Sequence, residues 1–482
     1  MTRREYDVIV IGAGPTGVFA CYELAKRAPD LQILLLEKGQ DIDRRSCPIL
    51  EKKVAKCPDN RRKAFSGCYP ACSITNGFGG AGAYSDGKFN ITTEYGGWMT
   101  EYLPPAEVLE YIRYVDAVNT AHGASAPLSD PTTEAIKQIE KRGLAAGLKL
   151  LRAQVRHLGT EQNLKILANI RDTLQGSVDM RFQTEVKEIL AEETDQGLVV
   201  RGVVDDQGQE YRAPCVLAAP GRDGSEWLGQ VLTKFGLELS SNQVDIGVRI
   251  ETFDMVMEEI NEHLYEGKFL FRTSVGTTVR SFCSNPSGHV VIENHSGVML
   301  ANGHAFRDKE LGSTNTNFAL LVSHRFSYPF NKPIEYAKSI SRLANDLSNG
   351  SVLIQKFGDI LKGRRSTEKR IQEGFVEPTL KEAVPGNLCL VLPFSTMQSI
   401  IEMLHALDKV TPGIASEHTL LYGVEAKFYS MRPALTPEFE TQISGLFAGG
   451  DGAGVTRGLA QAGACGVAIA RNIVQRRGSA SS

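Results

Sequence analysis

Four consecutive apolar residues, Val8-Ile9-Val10-Ile11, form an unbroken β-branched run, the pattern of a strand buried on both faces of a parallel sheet. Gly12-Ala13-Gly14-Pro15-Thr16-Gly17 follows, and then Val18, Ala20, Cys21, Leu24 and Ala25 recur at helical spacing. A second run, Ile33 to Leu36, ends in Glu37. The order strand, glycine turn, helix, strand returns in part near the C-terminus. There Leu446-Phe447-Ala448 predicts a short strand, Gly449 to Gly454 a glycine turn, and the apolar stretch from Ala460 to about Val474 a helix. In mid-chain, Met180 to Ile189, Leu198 to Val204 and Gln209 to Leu217 read as three strands of a β-meander that closes on Ala218-Ala219-Pro220-Gly221. The stretch from Pro104 to Gly176 reads as mostly helical. Pro105 opens one helix with Val108, Leu109, Ile112 and Val115 on its apolar face, and Asp130-Pro131 supplies a cap and first residue for another. Residues 244–423 mix strand and helix patterns and contain no further strand–glycine turn–helix unit.

Composition narrows the class. The chain has 482 residues with 53 Lys+Arg against 56 Asp+Glu, a net charge of −3. That balance argues against a dedicated nucleic-acid binder and against a polybasic membrane anchor. No apolar run reaches the ~18–20 residues of a membrane helix. Glu5 and Asp7 interrupt the N-terminal region, and the apolar run after them is short, so no secretory signal is expected and the cytoplasm is the expected compartment. The nine cysteines are then free thiols or ligands rather than staples. Glycine stands out: 47 residues, a larger share than the usual of about 7%.

The glycines have specific positions. Gly12, Gly14 and Gly17 form the G-x-G-x-x-G of a dinucleotide-binding turn, and Glu37 lies 20 residues beyond Gly17 at the end of the second strand. In that arrangement Gly12 makes the tight turn and Gly14 lets the backbone approach a pyrophosphate. Gly17 lets helix and strand pack closely, and the helix N-terminus with Pro15 and Thr16 receives the phosphate charge. Glu37, with Lys38 beside it, would meet the ribose. The C-terminal run Gly450-Asp451-Gly452-Ala453-Gly454-Val455-Thr456-Arg457-Gly458-Leu459 is similar to the second signature of flavoproteins. It implies FAD, with Asp451 at the ribitol or pyrophosphate and the helix start at Gly458 and Leu459 aimed at the flavin. By the same resemblance, Val186 lies against the adenine, and Ala219 and Gly221 return the chain to the nucleotide sheet.

Four motifs together resemble the bacterial and archaeal group of uncharacterised FAD-dependent dehydrogenases, within the Rossmann-type FAD oxidoreductases. These are Gly77-Phe78-Gly79-Gly80-Ala81-Gly82-Ala83-Tyr84-Ser85-Asp86-Gly87-Lys88, Val244 to Glu251, Val424 to Ser430, and Gly450 to Leu459. The expected fold is α/β, with a discontinuous Rossmann-like FAD-binding domain formed by residues 1–100, 177–243 and 424–476. A helical insertion over 101–176, an inserted α+β substrate or cap domain over 244–423 and a disordered tail over 477–482 complete it.

The candidate chemistry follows from these segments. Gly79, Gly80, Ala81, Ser85, Asp86 and Gly87 are expected along the pyrophosphate and flavin ring. Lys88 would stabilise a reduced flavin or a substrate carboxylate. Arg249 alternates with Val248 and Ile250 on a predicted strand, so it points away from them and needs an anion, either Glu251 or a ligand. Lys427 and Tyr429 precede the final nucleotide strand and are the remaining catalytic candidates, Tyr429 as an acid or a substrate anchor. The cations Lys362, Arg364, Arg365, Lys369 and Arg370 read as a solvated face or an anion receptor. Cys47, Cys57, Cys68 and Cys72 lie close in sequence but match no tight metal-ligand spacing, and no metal is assigned. The expected activity is hydride transfer between a small organic substrate, an anionic one suiting the three cations, and the flavin N5, with NAD(P)H as a transient co-substrate. The rival readings are an FAD-dependent monooxygenase and a non-redox, flavin-assisted hydratase or isomerase. No nucleic-acid partner and no transmembrane segment are expected; the electron partner and the oligomeric state are left open.

Overall fold

The computed structural model describes residues 5–54, 65–264, 267–295, 297–305, 309–327 and 329–480. It divides the chain into two compact units, each assembled from separated segments. The first comprises residues 1–129, 153–240 and 430–482, the second residues 130–152 and 241–429.

The first unit is built on a five-stranded parallel sheet. β1 (Val8–Ile11) lies at its centre, with β2 (Ile33–Leu36) on one side and Cys215–Ala218 on the other. Leu446–Ala448 and Val178–Arg181 form the two edges. Every residue of β1 and β2 is buried, as their unbroken apolar runs require. Helix α1 (Pro15–Arg27) packs against the C-terminal helix Leu459–Ala480, and the approach is close. A Cβ on Gly466 would lie 2.0 Å from the carbonyl oxygen of Thr16. Helix Pro105–Ala121 also packs on the C-terminal helix and buries Val108, Ile112 and Val115 as the spacing predicted.

Several boundaries differ from the sequence reading. Met180 to Ile189 is two strands, because Gln183 adopts a left-handed backbone (φ +56°) between them. Val178–Arg181 joins the parallel sheet, and Val186–Thr194 starts a separate three-stranded antiparallel sheet with Gly197–Asp205 and Glu210–Arg212. Gln209 to Leu217 likewise breaks at Pro214, so that Cys215–Ala218 enters the parallel sheet. Residues 101–176 do not form a helical insertion of their own. They contain strands Leu148–Leu150 and Gln154–His157, which pair in different units, the former with Phe269–Arg272 and the latter with Lys88–Ile91. Asp130 caps no helix. Its carboxylate is spent on the Thr132 amide (2.8 Å) and hydroxyl (2.5 Å), and helix Glu134–Ala145 is capped by the Thr133 hydroxyl instead. The tail is not disordered over 477–480, since the C-terminal helix runs through Ala480.

The second unit is an eight-stranded, mostly antiparallel sheet. Val244–Phe253 lies inside it between Asn315–His324 and Leu420–Lys427, and Thr278–Asn285 lies beyond the former. One face carries Val244, Ile246, Val248 and Ile250 and packs into the apolar core with helices Pro333–Leu347 and Phe394–Asp408. The other carries Asp245, Gly247, Arg249 and Glu251, all buried. Strict alternation with both sets buried marks this second face as a polar interior rather than a wetted surface.

Candidate nucleotide site and the polar sheet face

In the first unit the glycine segments converge at the C-terminal ends of the parallel strands, where ligands of open α/β sheets bind. Gly12 holds φ +94°, and a Cβ there would lie 2.3 Å from the Ala219 carbonyl oxygen, so the first turn and the Ala219–Gly221 return are in contact. A Cβ on Gly17 would lie 1.9 Å from the Gly12 oxygen. Gly14 is the exception: a Cβ on it would meet nothing within 4 Å, and its backbone caps α1. Of Gly12, Gly14 and Gly17, the one whose surroundings are open is therefore the one expected against a pyrophosphate, at a helix N-terminus carrying Pro15 and Thr16.

The other loops close around it. The Gly79 amide donates to the Ala13 carbonyl at 2.7 Å, and a Cβ on Gly80 would lie 2.9 Å from the Gly14 Cα. Gly450 (φ +76°) abuts the Thr16 side chain, and Gly452 abuts the Gly221 carbonyl. Gly82 meets Leu459, while Gly458 is open and exposed at the start of the C-terminal helix. Ala81 is exposed, and Val186 is buried at the start of its strand.

Glu37 is placed differently from a free ribose-binding carboxylate. It is 6% exposed, and it accepts the amides of Ala13 (2.8 Å), Gly39 (2.8 Å) and Gly77 (2.9 Å). Three of its roughly four acceptor positions are thus used to tie the first glycine turn to the second glycine segment. Lys38 is ion-paired with Asp223. Asp451 accepts the Thr456 hydroxyl at 2.6 Å, and the dense protein around it raises its carboxyl above the ordinary value despite its opening to the surface.

The segment Ser85 to Lys88 is pinned from the helix Thr160–Leu174. The Ser85 hydroxyl bonds the Gly82 carbonyl, Thr160 donates to the Ser85 carbonyl, and Asn163 donates to the Gly82 and Ala83 carbonyls. Gly87 packs on Asn163 and Leu158. Lys88 forms an ion pair with Asp86 at 3.0 Å, and the imidazole of His157 lies 4.0 Å from the same carboxylate. Arg45, missed in the sequence, organises this region. It donates to the carbonyls of Ser73, Ile74 and Phe78, and burial lowers its guanidinium to about 10. The signal was weak, a basic residue in a segment without periodicity.

Three of the catalytic candidates lie in the second unit, on the polar sheet face. Arg249 is fully buried, and its counter-ion is not Glu251. Its Nε lies 3.4 Å from Glu425 on the neighbouring strand, because the register sets Glu425 beside Gly247. Glu251 is instead satisfied by Tyr422, Thr379 and Asn315. Glu425 also receives Lys427 at 3.2 Å. Tyr429 donates to Asp245, which Gln243 and Arg280 also contact. Asp245 and Glu425 were not singled out in the sequence, yet both were legible as polar members of strands whose alternate positions are apolar. The five-cation run is largely spent: Arg364 pairs with Asp359, Lys362 with Glu417, Lys369 with Glu373, and Arg370 donates to the Arg365 carbonyl. Cys47 and Cys72 are free thiols, Cys68 is buried, and Cys57 lies outside the described residues. Among the described residues no three His, Cys, Asp or Glu side chains gather as metal ligands, and no helix is long and apolar enough to cross a membrane.

Comparison with known proteins agrees with this division. Residues 243–428 match the family model described as FAD-dependent protein, C-terminal domain-like, and residues 1–42 match the Thi4 family. A protein of Clostridium beijerinckii, described as an uncharacterized protein, is 23% identical over 493 residues, covering 97% of this chain and 80% of its own length. Among solved structures, glycine oxidase from Geobacillus kaustophilus aligns over 98% of this chain and 95% of its own, at 14% identity and a TM-score of 0.38. E. coli quinol fumarate reductase FrdA aligns over 100% and 72%, at 16% identity and a TM-score of 0.38. At scores this low neither alignment bears on the reaction. The first family model supports an FAD-dependent protein.

Proposed function

We propose that the chain is an FAD-dependent dehydrogenase or reductase that moves a hydride between a small organic substrate and the flavin. The observation that carries the reading is the convergence of the glycine segments on the open N-terminus of α1 at Gly14. FAD, when bound, supplies the hydride-accepting ring. The protein's part is to hold and orient. The amides at the start of α1 favour the pyrophosphate charge. The remaining acceptor position of Glu37 would take a ribose hydroxyl, and Asp451 would accept a hydroxyl at the ribitol or meet the pyrophosphate. Val186 would lie against the adenine, and the Ser85–Gly87 segment would run along the ring.

Lys88, in the nucleotide-binding unit, is proposed to act on the flavin, and Lys427 and Tyr429, in the other unit, are the proposed contacts of substrate. Tyr429, whose hydroxyl donates to Asp245, is proposed as a substrate anchor, its oxygen able to accept a hydrogen bond. Arg249, fully buried on Glu425, is proposed as a positioning residue for Lys427 rather than a contact of its own. NAD(P)H is the proposed electron donor for turnover in the reducing direction.

The test is direct. Protein purified from cells grown with sufficient riboflavin should be yellow, with about one FAD per chain released on denaturation. Anaerobic addition of NADH or NADPH, and of a panel of small hydroxy, amino and unsaturated acids, should bleach the flavin band with at least one of them. Colourless protein that cannot be reconstituted with FAD overturns the reading. Oxygen uptake matched to hydroxylated product would instead make it a monooxygenase.

A further inference from the structure

The polar face of the second unit has a distribution of charge that its neighbours do not explain. Three carboxylates lie on it, and all are sequestered: Asp245 and Glu251 are 0% exposed and Glu425 is 1% exposed. Arg249, also fully buried, faces Glu425. At the Asp245 end of the face, the charged groups that reach solvent are cations. The side chains of Lys427 and Arg280 are 21% and 23% exposed, and Arg325, exposed, donates to Gln243, which in turn donates to Asp245. Glu425 receives both Arg249 and Lys427, and Asp245 receives Arg280, so with Arg325 nearby four cations stand against two carboxylates at this end. The remaining titratable groups here are Tyr429, bonded to Asp245, and His324, whose Nε2 meets the Thr396 hydroxyl and whose imidazole burial pushes towards the neutral form.

A second observation concerns unmet hydrogen bonds. Among the described residues, ten buried side-chain polar atoms have no hydrogen-bond partner, and five of them belong to this one face: Arg249 Nε, Arg280 Nε, Asn315 Oδ1, Asn317 Nδ2 and Glu425 Oε2. Arg249 Nε and Glu425 Oε2 face each other as an ion pair at 3.4 Å, and Asn315 and Asn317 lie towards the Glu251 end; Arg280 Nε is the one of the five at the Asp245 end, and since native proteins satisfy nearly all such atoms it is the donor a ligand there would complete. The strand register sets all five residues on the same side of the sheet, because Phe253 pairs with Asn315, Glu251 with Asn317, Gly247 with Glu425, and Leu321 with both Gly247 and Arg280.

We propose that the Asp245–Lys427 end of this face is an oxyanion-recognition site, with Lys427 and Arg280 as its contact residues, and that the substrate carries a carboxylate or comparable oxyanion. Glu425 and Arg249 position Lys427: the buried pair fixes one hydrogen bond of the ammonium and leaves its remaining donors for a ligand. This rests on the reading of the chain as a flavoprotein acting on a small molecule.

The experiment uses the full-length, flavin-loaded protein and four probes at matched ionic strength: acetate, benzoate, inorganic phosphate and neutral benzamide. Binding is read from the concentration dependence of the melting temperature. At least one oxyanion is expected to bind while benzamide does not, and the carboxylate and phosphate arms tell which oxyanion it is. Lys427→Gln and Arg280→Gln should each weaken that binding by roughly tenfold or more, while Lys427→Arg retains it. Circular dichroism and the flavin-to-protein ratio establish that each variant is folded. No oxyanion binding at tens of millimolar, binding equal to that of benzamide, or binding unchanged in both Gln variants overturns the proposal. Protein that lacks flavin yet binds an oxyanion through Lys427 overturns the flavoprotein reading and leaves the site standing; flavin-loaded protein indifferent to every anion does the reverse.

Discussion

Gly14 and Gly17 are three residues apart and differ in what a side chain would do. A Cβ on Gly14 meets nothing, and its φ of −71° suits any residue. A Cβ on Gly17 would run into the Gly12 carbonyl at 1.9 Å. Gly14→Val should therefore fold with an unchanged melting temperature as apoprotein and purify without flavin. Gly17→Ala should lose about 3 kcal/mol of stability or fail to accumulate. If Gly14→Val keeps a full complement of FAD, the pyrophosphate is not where the turn would hold it. Glu37 makes a second case. Replacing its carboxylate by the Gln amide puts an NH₂ where a backbone N–H needs an acceptor, so Glu37→Gln should cost about 2 kcal/mol in apoprotein stability as well as flavin. An unchanged denaturation midpoint with flavin lost would assign Glu37 to the ribose alone.

At the scale of elements, the pairing of α1 with the C-terminal helix holds the nucleotide sheet together from both ends of the chain. Gly466 lets the helices touch, and Gly466→Ala should destabilise by about 3 kcal/mol because the added methyl meets the Thr16 backbone rather than a side chain that can move. Beside this contact Glu23, fully buried, receives Arg27 and Arg471. Burial opposes its ionisation, but the Tyr114 hydroxyl, Arg471 and Arg27 outweigh burial and hold its carboxyl below the ordinary glutamate value. A depressed folded-state value adds stability above the unfolded value, near 4.3, and that contribution is lost as the pH falls through the folded value. Glu23→Gln should thus be less stable than the parent near neutrality, by roughly 2 kcal/mol, with the gap closing at acid pH. Denaturation midpoints measured across the acid range check this; parallel curves would contradict it.

For the whole molecule, chain ends far apart in sequence meet in one sheet: Leu446–Ala448 pairs with Cys215–Ala218, which pairs with β1. A chain truncated after residue 445 loses an edge strand and the helix against α1, and it should be recovered insoluble or without cooperative unfolding. A soluble, cooperatively folding product would show that the remaining strands suffice. FAD in excess should raise the stability of the intact chain by about 2.7 kcal/mol at one hundred times its dissociation constant, and should do nothing for Gly14→Val.

The sequence by itself determined the local frame of the nucleotide unit. The apolar runs of β1 and β2, the intervening glycine turn and the final Gly-Asp turn encode their own geometry, because burial on both faces and small-residue turns are properties of a few adjacent residues. It also made the polar face readable, as an alternation within Val244–Phe253. What it left to tertiary structure were the partners. The strand boundaries at Gln183 and Pro214, the division of residues 101–176 between two units, the exchange of Glu251 for Glu425 as the counter-ion of Arg249, and the use of Glu37 as a tether were decided by which strand lies next to which. Register and long-range pairing are set by packing over the whole chain, and no window of sequence carries them.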